Sequence, residues 1–82
     1  MNPHPQPRVV LVGKPGCHLC DDARATIVRV CADLGVAWAE WSILDDPELA
    51  DQYSEQIPVT LVDGRQHDFW RVDEARLRAA LA

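Results

Sequence analysis

Between Arg8 and Leu34 the hydrophobic pattern of the chain changes period, and the change falls on a pair of cysteines. Arg8-Val9-Val10-Leu11-Val12 is a nearly continuous apolar, β-branched run, the pattern of a strand covered on both faces. Gly13-Lys14-Pro15-Gly16 breaks it. Two glycines and a proline in four residues make a turn where the backbone can be approached closely. Beyond it, Cys20, Ala23, Ile27, Val30, Cys31 and Leu34 recur at helical spacing and form one stripe. Asp21 and Asp22 fall in the first turn, where negative charge favours a helix, and Gly35 supplies a C-terminal stop. The segment predicts a strand, a tight turn and a helix. Cys17 stands at the helix N-terminus, and Cys20 lies one turn inside, on the core-facing stripe.

The remainder alternates strand and helix signals. Val36 to Leu44 reads as a second strand, with Ala37, Ala39, Trp41 and Ile43 alternating with Trp38, Glu40 and Ser42. Asp46-Pro47-Glu48 opens a short helix, Asp46 as cap and Pro47 in the first position, with Leu49 and Tyr53 on a narrow apolar face. Pro58 to Val62 is a third strand, Asp63-Gly64 a hairpin turn, and Gln66 to Val72 a fourth strand, with a core role expected for Phe69 and Trp70 and an apolar shelf as the alternative. Asp73 caps a last helix bearing Leu77 and Leu81. The order is β-α-β-α-β-β-α. Strands joined by helical crossovers should be parallel and the hairpin pair antiparallel, giving a mixed four-stranded α/β sheet flanked by three helices.

At 82 residues there is room for one domain, which buries roughly 60–65% of the surface its unfolded chain exposes. Residues 8–82 are assigned to it. Residues 1–7, with three prolines and no apolar run, read as a disordered polar tail rather than a signal peptide. The expected compartment is the cytoplasm. A net charge of −5 without a Lys/Arg run excludes a phosphate-tracking surface, so no nucleic acid is expected as a partner. No apolar stretch approaches the roughly 20 residues of a membrane span, so no membrane is expected either. A monomer is expected.

Three cysteines, an odd number, do not make a closed disulfide framework. In a reducing compartment a close pair points to catalysis or to a metal. Zinc needs four converging ligands. No second CxxC exists, and Cys31 lies about 16 Å along the helix from Cys20 by helical rise. His4 is in the tail and His67 in the fourth strand. No metal is therefore assigned, and Cys31, about 20° from Cys20 on the helical wheel, is read as core.

The strand–turn–helix context makes redox chemistry the expected role of the pair, with an inert pair as the alternative. Free N–H groups and the dipole at a helix N-terminus favour an anion, and the Cys17 thiolate is such an anion. Cys17 would attack a substrate disulfide, and Cys20 would resolve the mixed disulfide. His18, between the thiols, and Lys14, three residues before Cys17, are candidate substrate-side groups; each also reads as an ordinary solvated side chain.

The arrangement resembles the thioredoxin fold and, within it, glutaredoxin. Gly13-Lys14-Pro15-Gly16-Cys17-His18-Leu19-Cys20, Asp46-Pro47-Glu48-Leu49 and Ile57-Pro58-Val59 are similar to the segments of an uncharacterised subgroup of small bacterial glutaredoxin-like proteins. The resemblance covers residues 8 to 82. It implies a cis Ile57–Pro58 bond facing the cysteines, with the backbone there pairing with extended substrate. It implies no resident cofactor, with a low-molecular-weight thiol such as glutathione as co-substrate. Three positions depart from the wider families. Leu11 stands where thioredoxin has a buried acid, Cys17-His18-Leu19-Cys20 replaces C-P-Y-C, and Phe69-Trp70-Arg71-Val72 replaces glutaredoxin's Gly-Gly turn. The expected function is thiol–disulfide exchange on protein or small-thiol disulfides, with a thiol or reductase as electron donor. A redox-sensing or binding module with little turnover is the alternative.

Overall fold

A computed structural model describes residues 7–82. The assigned tail, apart from Pro7, and His4 lie outside the described residues; Pro7 is half-buried. The elements are β1 (Val9–Gly13), α1 (His18–Leu34), β2 (Trp38–Ser42), α2 (Pro47–Tyr53), β3 (Val59–Val62), β4 (Arg65–Phe69) and α3 (Glu74–Leu81). They form one four-stranded sheet in the order β2-β1-β3-β4.

Every residue of β1 and β3 is buried, because these two central strands are covered on both faces. One face carries Val9, Leu11 and Val62 against Ala23, Ile27, Val30 and Cys31 of α1 and Leu77 and Leu81 of α3. The other carries Val10, Val12, Val59 and Leu61 beneath Leu49 and Tyr53 of α2, with Ile43 and Ile57. The side-chain period of two along a strand sends alternate residues of β1 to opposite layers. The α1 stripe is buried from Cys20 to Cys31, whereas Leu34, in the last turn, is exposed.

The C-terminal stop of α1 is of the expected kind, and its N-terminal cap is a cysteine side chain. Cys17 caps the N-terminus, and Gly35, at φ 67°, donates its N–H to the Cys31 carbonyl. Asp46 and Asp73 cap α2 and α3 through their carboxylates. The Asp63-Gly64 turn has positive φ at both residues, 52° and 82°, the backbone that a tight two-residue hairpin requires.

Three expectations are corrected. β1 and β2 are parallel, but β3 runs antiparallel to β1. Ser42 ends β2 beside Gly13, and β3 begins with Val59 beside Val12, so the chain leaves and re-enters the sheet at the same end. Seven helical residues, about 10 Å, do not carry it to the far end as a true crossover would. β2 is shorter than read: Ile43 and Leu44 fold into the turn before α2, and Ile43 N–H donates to the Gly13 carbonyl. β4 stops at Phe69, and Phe69 and Trp70 are 48% and 52% exposed rather than core. The sheet ends there because Trp70 takes φ 64°, which no strand residue adopts. No helix among the described residues is long and apolar enough to cross a membrane.

Candidate redox site

The Gly/Pro turn after β1 delivers Cys17 to the start of α1. Its Sγ accepts a hydrogen bond from the Cys20 N–H at 3.2 Å, so a thiol takes the place that a serine or aspartate oxygen fills in an ordinary N-cap. The helix-end N–H groups that stabilise an anion are thereby aimed at sulfur. Cys17 is partly exposed and Cys20 fully buried. Burial pushes the Cys20 thiol up, and its hydrogen bond to Cys17 pushes it further, to about 11; the backbone N–H of Lys14 pulls the other way. The pair is thus asymmetric, one sulfur accessible and capping a helix, the other buried and protonated at neutral pH. Cys31 is a core residue whose thiol burial pushes up.

Gly13 is the site residue that sequence reasoning missed. A Cβ on it would stand 2.8 Å from Cys20 Sγ and 3.4 Å from Cys20 Cβ, closer than packed atoms come. The buried thiol occupies the space that a side chain at position 13 would need. Gly13 reads from sequence as turn punctuation, yet it is the last residue of β1 and its φ is not positive. The usable signal was the approach of backbone and thiol, which follows from Cys20 facing the sheet on the buried stripe.

The other candidate residues divide. Lys14 reaches Cys20 through its backbone, while its side chain is exposed on the rim of a groove of about 380 Å³ bounded by Arg24, Glu40 and Asp45. His18, the first residue of α1, is exposed. Pro58 is buried and Ile57 half-buried. The bond between them is cis. Extending the β1–β3 register by one residue sets Pro58 beside Gly13, at the end of the sheet from which the cysteine loop departs. Gly13, the Lys14 backbone, Cys17, Cys20 and the Ile57–Pro58 segment therefore share one edge. Among the described residues, no cluster of three or more His, Cys, Asp and Glu side chains could hold a metal ion.

Arg24 braces this edge. Its guanidinium grips Glu40 of β2 through two hydrogen bonds of 2.7 and 2.6 Å and Asp21 through one of 2.8 Å. The first turns of α1 are thereby tied to the neighbouring strand, and the parallel geometry of the Arg–carboxylate fork fixes their orientation.

Comparison with known proteins agrees with this architecture. An uncharacterised protein of Mycobacterium tuberculosis is 32% identical over 82 residues, spanning 94% of this chain and 84% of its own length. The crystal structure of a Xanthomonas campestris protein (X. campestris target XcR50) superposes with a TM-score of 0.73 at 34% identity, covering 89% of this chain and 93% of that one. A Fasciola hepatica thioredoxin matches at a TM-score of 0.59 and 22% identity over 89% of this chain and 75% of its own, a likeness of fold. Residues 8–82 match the family model of the glutaredoxin-like domain (DUF836). With its thioredoxin-like order of strands and helices and its two cysteines at the head of α1, the chain belongs to the glutaredoxin-like (DUF836) family.

Proposed function

We propose that the protein is a thiol–disulfide oxidoreductase in which Cys17 is the nucleophile and Cys20 the resolving thiol. The observation that carries this reading is the asymmetry of the pair: Cys17 Sγ caps α1, and Cys20 is buried and held protonated. In the first step the Cys17 thiolate attacks one sulfur of a substrate disulfide. A Cys17–substrate S–S bond forms, the substrate S–S bond breaks, and the departing thiolate takes a proton. In the second step Cys20 gives up its proton and attacks Cys17 Sγ, releasing the second substrate thiol. The protein ends with a Cys17–Cys20 disulfide, having passed two electrons to the substrate. An external thiol or a reductase returns them. The Ile57–Pro58 segment, at the end of the sheet beside Gly13, would pair with the extended substrate backbone, and the exposed Lys14 and His18 would flank the approach. A reducing compartment such as the cytoplasm suits this cycle.

A Cys20→Ser variant should accumulate mixed disulfides through Cys17, detected as mass adducts, and Cys17→Ser should form none. Adducts on Cys31, or none on either variant, would remove the assignment. A midpoint potential near about −270 mV would place the protein among reductants, and one near about −120 mV among oxidants.

One observation favours a second reading, that of a redox sensor with little turnover. Leu11, fully buried, offers no carboxylate to take the proton from Cys20, so resolution depends on the departing thiolate or solvent. Normal mixed-disulfide formation with slow release would select this reading.

A further inference from the structure

Trp70 is the least economical residue on the surface. Its backbone has φ 64°, and the Arg71 N–H donates to the Phe69 carbonyl at 2.8 Å, closing a three-residue turn around it. A turn of this kind with positive φ is rare and strained, and a bulky aromatic residue is a poor occupant of its centre. Yet the residue is firmly held. Its N–H donates to the Pro58 carbonyl at 2.7 Å and its indole Nε1 to the Glu55 carbonyl at 3.4 Å. Phe69 stands edge-on to the ring, centroids 5.1 Å apart. All of this leaves a large apolar ring 52% exposed. Strain retained at an exposed aromatic residue marks a site of interaction.

The ring forms one wall of a groove of about 310 Å³. Leu19, Asp22, Ala23 and Thr26 of α1 line it as well, and Arg71 and Val72 complete it. Leu19 is the residue between His18 and Cys20, so the groove opens beside the thiol pair itself. A molecule whose disulfide lies on Cys17 has this groove, joined to the thiol turn by Leu19, within reach of its neighbouring groups. The groove is mixed: Leu19, Ala23, Val72 and the Trp70 ring offer apolar surface, while Asp22 and Arg71 place one charge of each sign on it, so it carries no net charge to draw a carboxylate. Next to it, the backbone donors at the start of α3 are already taken: Asp73 N–H by Asp68 Oδ2 at 3.2 Å, and Arg76 N–H by Asp73 Oδ1 at 3.0 Å. Arg76 is itself paired with Asp68. A small thiol carrying charged ends finds those donors filled.

We propose that Trp70 is a specificity-determining residue, forming an apolar shelf beside Leu19 that receives the side chain next to the attacked cysteine in an extended protein segment. The protein then prefers protein disulfides flanked by an aromatic or large apolar residue. This inference rests on the oxidoreductase reading above.

The test uses the pre-reduced full chain in single turnovers, so that no electron donor is needed. Two disulfide-linked peptide dimers, identical except for Phe or Ser beside the cysteine, are compared with glutathione disulfide. The Phe dimer should react roughly tenfold faster than either of the others, the scale of one aromatic pair. Trp70→Ala and Trp70→Gly should bring the Phe-to-Ser ratio near one. Trp70→Phe should keep most of it, and so should Trp41→Ala, which removes an aromatic residue of similar exposure elsewhere. Glycine adopts positive φ without strain, so Trp70→Gly folds where Trp70→Ala does not, as circular dichroism would report. A ratio of one in the natural chain, a ratio that survives Trp70→Gly, or faster reaction with glutathione disulfide would each overturn the proposal while leaving the oxidoreductase intact. Failure of all three substrates would overturn both.

Discussion

Two sulfur atoms three residues apart behave differently because one faces solvent at a helix end and the other faces a strand. Cys20 fits only because Gly13 has no side chain. Gly13→Ala should therefore force overpacking, costing about 1–3 kcal/mol in chemical denaturation, and should also slow closure of the Cys17–Cys20 disulfide. A variant as stable and as fast as the natural chain would show that the thiol moves aside freely. Burial has a second consequence. The Cys20 proton is held more tightly folded, with a value near 11, than the ordinary 9.0. The unfolded chain thus loses that proton first. The contribution of Cys20 to stability is complete below pH 9 and drains away as pH rises to about 11. Cys31 acts in the same direction, so the measurement is a difference: the alkaline fall in stability should be shallower in Cys20→Ala than in the natural chain. Iodoacetamide at neutral pH should modify Cys17 and spare Cys20 and Cys31 in the native state, as peptide mass mapping would report.

At the scale of elements, the sequence placed all seven, because each carries its own punctuation. Gly13 to Gly16, Gly35, Asp46-Pro47, Asp63-Gly64 and Asp73 begin or end them by local backbone chemistry. The direction of β3 was not legible. It depends on whether α2 spans the sheet, and a helix of seven residues held by Leu49 and Tyr53 returns the chain to the end it left. The end of β4 was hidden as well, since Phe69-Trp70 reads as apolar strand while the positive φ of Trp70 is settled by hydrogen bonds to Pro58 and Glu55. α3 delivers Leu77 and Leu81 to the core, and its first turn hangs on Asp73. Asp73→Ala should cost about 1 kcal/mol in thermal or denaturant unfolding, the usual worth of an N-cap, and Asp73→Asn should restore most of it. Equal losses in both variants would point away from capping.

Across the whole molecule, α1 and α3 are joined over the core by a surface network. Glu74 accepts from Arg29 and Arg78, and Arg78 also reaches Asp33. The two guanidiniums hold the Glu74 carboxyl down at about 2, below its ordinary 4.5. A depressed carboxyl contributes stability above its unfolded value and loses it as pH falls, here between 4.5 and about 2. Acid titration of the unfolding midpoint should show a fall in that window that shrinks in Glu74→Gln and in molar salt, because exposed pairs are screened. The strand and helix order, the caps and the thiol pair at the head of α1 were present in the sequence alone, because hydrophobic period and capping act over a few neighbouring residues. Tertiary structure alone decided that β3 would run against β1, that Gly13 would make room for Cys20, and that Trp70 would stand exposed beside Leu19. Each of these depends on atoms distant along the chain competing for one volume or one hydrogen bond, and no local pattern carries that competition.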